Sequence, residues 1–218
     1  MFPISDVIPS RTVPFVTVGL IVINAIVFLY QVTLPDPLLQ VFVARYAVVP
    51  AWFWWPSLFT SQFLHAGWMH IIGNMLYLWI FGDNVEDRLG HGRYLIFYLV
   101  AGATAALLQI VFSPFSAIPM LGASGAIAGV MGAYFVLYPQ SRVLTAIFIV
   151  IFFDLVEIPA LFFLGIWFLM QLLSGVGSLG VSNAASGGTA FWAHIGGFLL
   201  GVAVGTVLRI RDRRWPSY

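Results

Sequence analysis

The chain has 218 residues, of which 61% are hydrophobic and only 8% charged, with a formal net charge of +1. A water-soluble domain carries charge at about a quarter of its positions, so this composition excludes a soluble globular protein. The charges are also unevenly spread, with none from Tyr94 to Ser141 and none from Ile158 to Leu208. A helix of about twenty apolar residues crosses the hydrocarbon core, so each of these windows has room for two helices and a turn. The expected class is an all-α, polytopic membrane protein forming one compact bundle over residues 1–218, with no separate soluble domain. Cysteine is absent, so disulfides contribute nothing.

In chain order the pattern predicts six spans. The first runs near Val13–Val32; it is long, carries Asn24 and Gln31, and lacks a small-x-small cleavage site, so it reads as a retained span and not as a signal peptide. A connection over Thr33–Gly67 follows, with Pro35, Pro37, Pro50 and Pro56 and the cluster Trp52, Trp54 and Trp55. Tryptophan favours the headgroup layer, which predicts that this connection lies in the membrane interface. The second span is near Trp68–Phe81, closed by Gly82 and a charged cluster. The third is about Tyr94–Phe112 and the fourth Gly122–Tyr138, ending at Pro139. Val143–Phe153 is apolar but covers about half a bilayer as a helix, so it is expected to be interfacial or partly buried. The fifth span is about Ala160–Leu173. A Gly/Ser-rich stretch, Ser174–Thr189, has the composition of a mobile loop. The sixth runs about Ala190–Leu208.

All nine basic residues are arginines. Six spans put Arg11, Arg88, Arg93, Arg142 and the four C-terminal arginines on one side and Arg45 alone on the other. The positive-inside rule then makes both termini cytoplasmic. A seventh span through Val143–Phe153 would break this asymmetry.

Polar groups in a bilayer are costly and need a reason. His70 and Asn74, four apart on the second span, project from one face. Ser124 lies in Gly122-Ala123-Ser124-Gly125 at the start of the fourth span, and His194 near the start of the sixth. All four are expected at similar shallow depth on the non-cytoplasmic side. There a serine and a histidine can pair as nucleophile and base, with imidazole and carboxamide donors for an oxyanion. Gly122, Gly125, Gly129 and Gly132 on the fourth span, and Gly197, Gly201 and Gly205 on the sixth, recur at spacings that let two backbones approach closely. Singly, a membrane serine back-bonds to its own helix, and glycine stripes are ordinary packing devices. Their joint occurrence at one depth carries the reading. His65 is expected to be a buried hydrogen-bonding group at most, and His91 a solvated residue in a charged turn.

Three stretches carry a family resemblance: Thr60–Asp87 (TSQFLHAGWMHIIGNMLYLWIFGDNVED), Gly122–Gly132 (GASGAIAGVMG) and Ala193–Gly205 (AHIGGFLLGVAVG). In this order they resemble the rhomboid family of intramembrane serine proteases. The resemblance implies Ser124 as nucleophile and His194 as general base, a dyad with no carboxylate. His70, Asn74 and the Ser124 backbone N–H would form the oxyanion hole, and Gly122 and Ala123 would line the substrate strand. It further implies that Ser174–Thr189 caps the site and that the fifth span is a lateral gate. Two positions depart from patterns common in that family. Trp54-Trp55-Pro56-Ser57 stands where many members have a Trp-Arg pair, and Ala128 where some have a tyrosine packed on the catalytic histidine.

The expected function is a serine endopeptidase that cuts transmembrane segments near the outer face of the bilayer. Its partners would be single-span membrane proteins and membrane lipid, not nucleic acid, and no metal or cofactor is called for. The alternative is a catalytically inactive relative that binds membrane proteins, although such relatives usually lack the Ser or the His kept here. A transporter would need polar residues midway through several spans or an internal repeat, and the sequence has neither. A short chain with few extramembrane residues suits a prokaryotic plasma membrane.

Overall fold

The helix Ser124–Leu137 (α6) is apolar on every side because other helices surround it; Gly125 through Tyr134 are all buried. The computed structural model describes residues 2–149, 152–178 and 190–214. Around α6 stand α4 (Trp68–Leu89), α5 (His91–Phe112), α7 (Ala160–Gly177) and α8 (Phe191–Arg214), and α1 (Phe15–Thr33) packs outside them on α4 and α5. The glycine stripes are where α6 and α8 meet. A Cβ at Gly201 would lie 1.9 Å from the Gly129 carbonyl oxygen, and one at Gly197 2.0 Å from that of Gly125. On the other flank Ala101 and Ala105 of α5 press on Gly129 and Gly125. Small residues at these positions let backbones touch, which is how helices associate in lipid without a hydrophobic drive.

Among the described residues four helices are long and apolar enough to cross a membrane: α1, α5, α7 and the Phe191–Arg211 part of α8. The protein is thus a mostly helical, multi-pass membrane protein. α6 is shorter, and α4 carries Asp83, Glu86, Asp87 and Arg88 in its last two turns. Gly82 does not end that helix, as the sequence suggested, because α4 runs on to Leu89. Gly82 instead makes room for the Tyr94 hydroxyl and Thr17, which a Cβ would meet at 2.9–3.0 Å. α7 likewise extends to Gly177 and α8 to Arg214. Of the stretch expected as a mobile loop, residues 174–177 are helical and most of the rest lies outside the described residues.

The all-α expectation needs one correction. Arg142–Ile149 (β2) and Phe152–Pro159 (β3) form an antiparallel pair, and Phe2–Asp6 (β1) joins β2 on its other edge. Of Val143–Phe153, weighed as half a helix and expected to be interfacial or partly buried, residues 143–149 therefore lie in strand β2 and residues 152–153 open β3. Val143 and Thr145 are buried while Arg142 is exposed and Leu144 is half-buried, the period-two start of a strand that continues to a buried Ala146. Hydropathy alone could not tell an apolar strand from half a helix, and the β-branched Val143, Thr145 and Ile147 were the available signal.

The charged cluster that closes α4 holds the start of α1. Glu86 is completely buried, and its carboxylate accepts hydrogen bonds from the backbone N–H groups of Val16 and Thr17 and from the Thr17 hydroxyl. These first-turn N–H groups have no partner within their own helix, and an anion there also meets the positive end of the helix dipole. His91 Nδ1 closes on the same carboxylate, so His91 is tied in place and not merely solvated.

Residues 34–67 are more ordered than a plain interfacial loop. They contain α2 (Asp36–Tyr46), a 3-10 turn at Pro50–Trp52, α3 (Ser57–Thr60) and a second 3-10 turn at Ser61–Phe63. Trp52, Trp55 and Phe59 are exposed, while Val48, Leu58 and Leu64 are buried. This segment grips the chain just ahead of α6. Val48 and Met120 exchange both backbone hydrogen bonds, and Gly122 N–H donates to the Ser61 carbonyl at 2.9 Å. On its other side the Gln31 carboxamide of α1 pairs with the His65 backbone in both directions.

Candidate active site

Three helices start at the same end of the bundle, α4, α6 and α8, and each brings a polar side chain into one cavity. Its volume is about 890 Å³, and its lining includes His70, Asn74, Gly122, Ser124 and His194. Ser124 is the first residue of α6, so its backbone N–H belongs to the unpaired first turn. Its Oγ lies 2.8 Å from His194 Nε2. The start of α8 is set by α5: Gln109 Oε1 accepts from the Ala193 N–H, and Phe112 stacks on Trp192 with ring centroids 3.7 Å apart.

His194 is held from a third direction. Its Nδ1 lies 2.8 Å from Gln171 Oε1 of α7, and the Trp167 ring, one turn earlier on that helix, packs beside the imidazole with centroids 5.8 Å apart. The Gln171 oxygen can only accept, so Nδ1 carries the proton and Nε2 presents its lone pair to the Ser124 hydroxyl. Neither Gln171 nor Trp167 was singled out from the sequence. Gln171 is the polar residue within an otherwise apolar stretch of the fifth span, and the cost of polar groups in lipid applied to it as well.

His70 sits across the cavity. Ala66 N–H donates to its Nδ1 at 3.3 Å, which leaves Nε2 as the protonated nitrogen, facing Gly122. Asn74 lies one turn deeper; its Nδ2 is buried with no hydrogen-bond partner among the described residues. A Cβ on Gly122 would stand 2.8 Å from His70 Nε2 and 3.8 Å from Asn74 Nδ2. Gly122 has φ of 125°, a backbone conformation that suits glycine. The cavity floor thus presents unpaired donors beside the serine. Ala123 differs from its neighbours in that its side chain is fully buried in the core. His65 is also buried, edge-on to His70 and Phe28, and burial pushes its pKa down to about 4. No cluster of three or more His, Cys, Asp or Glu suited to a metal occurs among the described residues.

Residues 51–211 match the family model of the rhomboid domain. The chain belongs to the rhomboid family. It is 32% identical over 163 residues to RHOMBOID-like protein 6, mitochondrial, of Arabidopsis thaliana, covering 74% of this chain and 46% of that one. To the rhomboid protease GlpG of Salmonella paratyphi A it is 29% identical over 183 residues, 82% of this chain and 53% of the relative. To the rhomboid protease GluP of Bacillus subtilis it is 48% identical over 80 residues, 37% of this chain and 15% of the relative. The match spans about half or less of these relatives' own length.

Both departures from common rhomboid patterns have local replacements. Where the Trp-Arg pair is missing, Arg45 reaches across from α2 and places its guanidinium 4.0 Å from the centroid of the Trp54 ring. Where Ala128 replaces a tyrosine, Trp167 supplies the ring against His194 from a different helix.

Proposed function

We propose that this rhomboid is an intramembrane serine endopeptidase. The observation that carries the reading is the 2.8 Å contact between Ser124 Oγ and His194 Nε2, in a cavity that also holds His70 and Asn74. Ser124 Oγ attacks the scissile carbonyl carbon and gives its proton to His194 Nε2. The resulting oxyanion accepts hydrogen bonds from the Ser124 N–H, His70 Nε2–H and Asn74 Nδ2–H. The C–N bond breaks as His194 returns the proton to the leaving amine. Water then attacks the acyl-enzyme, with His194 again as base. A substrate strand lies along Gly122 and the Ala123 backbone. No carboxylate among the described residues meets the imidazole, so the dyad is expected to be slower than a Ser-His-Asp triad.

The substrates are single-span membrane proteins whose helix unwinds into the cavity. In this reading α4 and the shorter α6 cross the bilayer along with α1, α5, α7 and α8, with the site near the outer face. The test is cleavage of a single-span model substrate in liposomes by wild type, Ser124→Ala and His194→Ala. Cleavage by wild type alone, with helical content unchanged in the variants, supports the dyad. Equal cleavage by all three sinks it. A wild type that neither cleaves nor is labelled by a fluorophosphonate at Ser124 favours a catalytically inactive binding factor.

A further inference from the structure

His194 is oriented by a helix that supplies neither member of the dyad. Two side chains of α7 one helical turn apart, Trp167 and Gln171, share the face that meets His194. In a triad, a carboxylate on Nδ1 fixes the tautomer and supports the imidazolium. Here the same nitrogen faces a neutral carboxamide oxygen at 2.8 Å.

We propose that Gln171 is a positioning residue for catalysis: its Oε1 accepts from His194 Nδ1–H, holding Nε2 unprotonated and aimed at Ser124. This rests on the protease reading above. The amide dipole turns its negative end toward the imidazole, so the bond strengthens as the ring becomes imidazolium in the transition state. A carboxamide does this without placing a charge in the bundle, where an unpaired carboxylate is costly. The arrangement also makes the dyad depend on α7. That helix is largely exposed along its length, its buried side chains being those of Ala160, Phe163 and Leu164. A displacement of α7 away from α8 breaks the hydrogen bond and frees the ring to rotate off Ser124. The chain therefore links the seating of α7 to the competence of its base.

The test compares Gln171→Leu, which keeps the bulk but removes the acceptor, with Gln171→Glu, which keeps an acceptor. Cleavage kinetics are measured in liposomes, and 15N NMR of histidine-labelled protein reads the His194 tautomer directly. Gln171→Leu is expected to lower kcat roughly 10- to 100-fold, the range for one hydrogen bond to a group that becomes charged. KM should stay close to wild type, and the Nδ1–H signal of His194 should be lost. Gln171→Glu should retain that signal and most of kcat, and the loss of the tautomer signal in the bulk-conserving Gln171→Leu is what a packing role alone does not predict. The proposal is overturned if Gln171→Leu keeps wild-type kcat and tautomer, or if Gln171→Glu loses as much kcat as Gln171→Leu. A wild type without cleavage or Ser124 labelling overturns the protease reading and this proposal together. Ser124-dependent labelling with an indifferent Gln171→Leu overturns the proposal alone.

Discussion

At Gly122 a single missing side chain decides whether the cavity works. The positive φ and the 2.8 Å approach of His70 Nε2 leave no space for a Cβ. Gly122→Ala is expected to displace His70 and to abolish cleavage while the helices remain, which circular dichroism beside a cleavage assay checks. In the proposed protease mechanism His70→Ala or Asn74→Ala each removes one oxyanion donor. Each should lower kcat by about 10²- to 10³-fold with little change in KM. An unchanged kcat in both would remove these residues from the site. The motif residues were legible at this scale because they are polar groups in lipid, and their spacing put them on matching helix faces. What set the histidine's orientation was not, since Gln171 lies 23 residues away from His194 on another helix. Only the crossing of α7 over α8 brings them together.

Between helices, close approach and buried charge carry the fold. Gly201→Val would push two methyl groups into the Gly129 carbonyl, which the α6–α8 contact cannot absorb without separating. Overpacking typically costs about 1–3 kcal/mol, and a backbone neighbour cannot rotate away, so the loss belongs at or above the top of that range. Thermal unfolding in detergent should show a clear fall in Tm; an unchanged Tm would mean the two helices are looser than drawn. Glu86→Gln tests the other anchor. It removes a buried carboxylate that accepts three hydrogen bonds from the start of α1. Each hydrogen bond to a charged group contributes about 1.5–3 kcal/mol, so a drop in stability of at least that size is expected, with hydrogen exchange at Val16 and Thr17 speeding up. The glycine stripes announced their interface in the sequence because a three-to-four-residue period of small side chains has a direct packing meaning. Glu86 did not announce its role. In one dimension it is one acid in a charged cluster, and the α1 terminus it caps is 70 residues away.

Across the whole molecule, polarity is divided between two ends. The end where α4, α6 and α8 begin holds the cavity, the exposed Trp52, Trp55 and Trp68, and Arg45. The opposite end holds Arg11, Arg88, Arg93, Arg142 and Arg209 together with the three-stranded sheet. Burial there pushes the Asp6 carboxyl, which accepts from Tyr134, up to about 6. The folded state therefore favours the protonated form. The stability that β1 gains from Asp6 is present below the ordinary pKa of 3.8 and lost as pH rises through about 6. Protection factors of the β1 amides, corrected for the intrinsic pH dependence of exchange, should thus be higher at pH 4.5 than at pH 7.5, and Asp6→Asn should flatten that difference. The division also bears on orientation. Loops rich in arginine are retained on the cytoplasmic side, so the proposed orientation has the sheet inside and the cavity outside. The chain has no cysteine of its own, so single introduced thiols report cleanly. Phe115, 91% exposed in the turn between α5 and α6, marks the cavity end, and Leu155, 47% exposed on β3, marks the arginine end. With a membrane-impermeant maleimide on intact cells, Phe115→Cys is expected to label and Leu155→Cys to label only after permeabilisation. The reverse pattern would put the cavity on the cytoplasmic side, and substrates would then have to be cut near their inner ends.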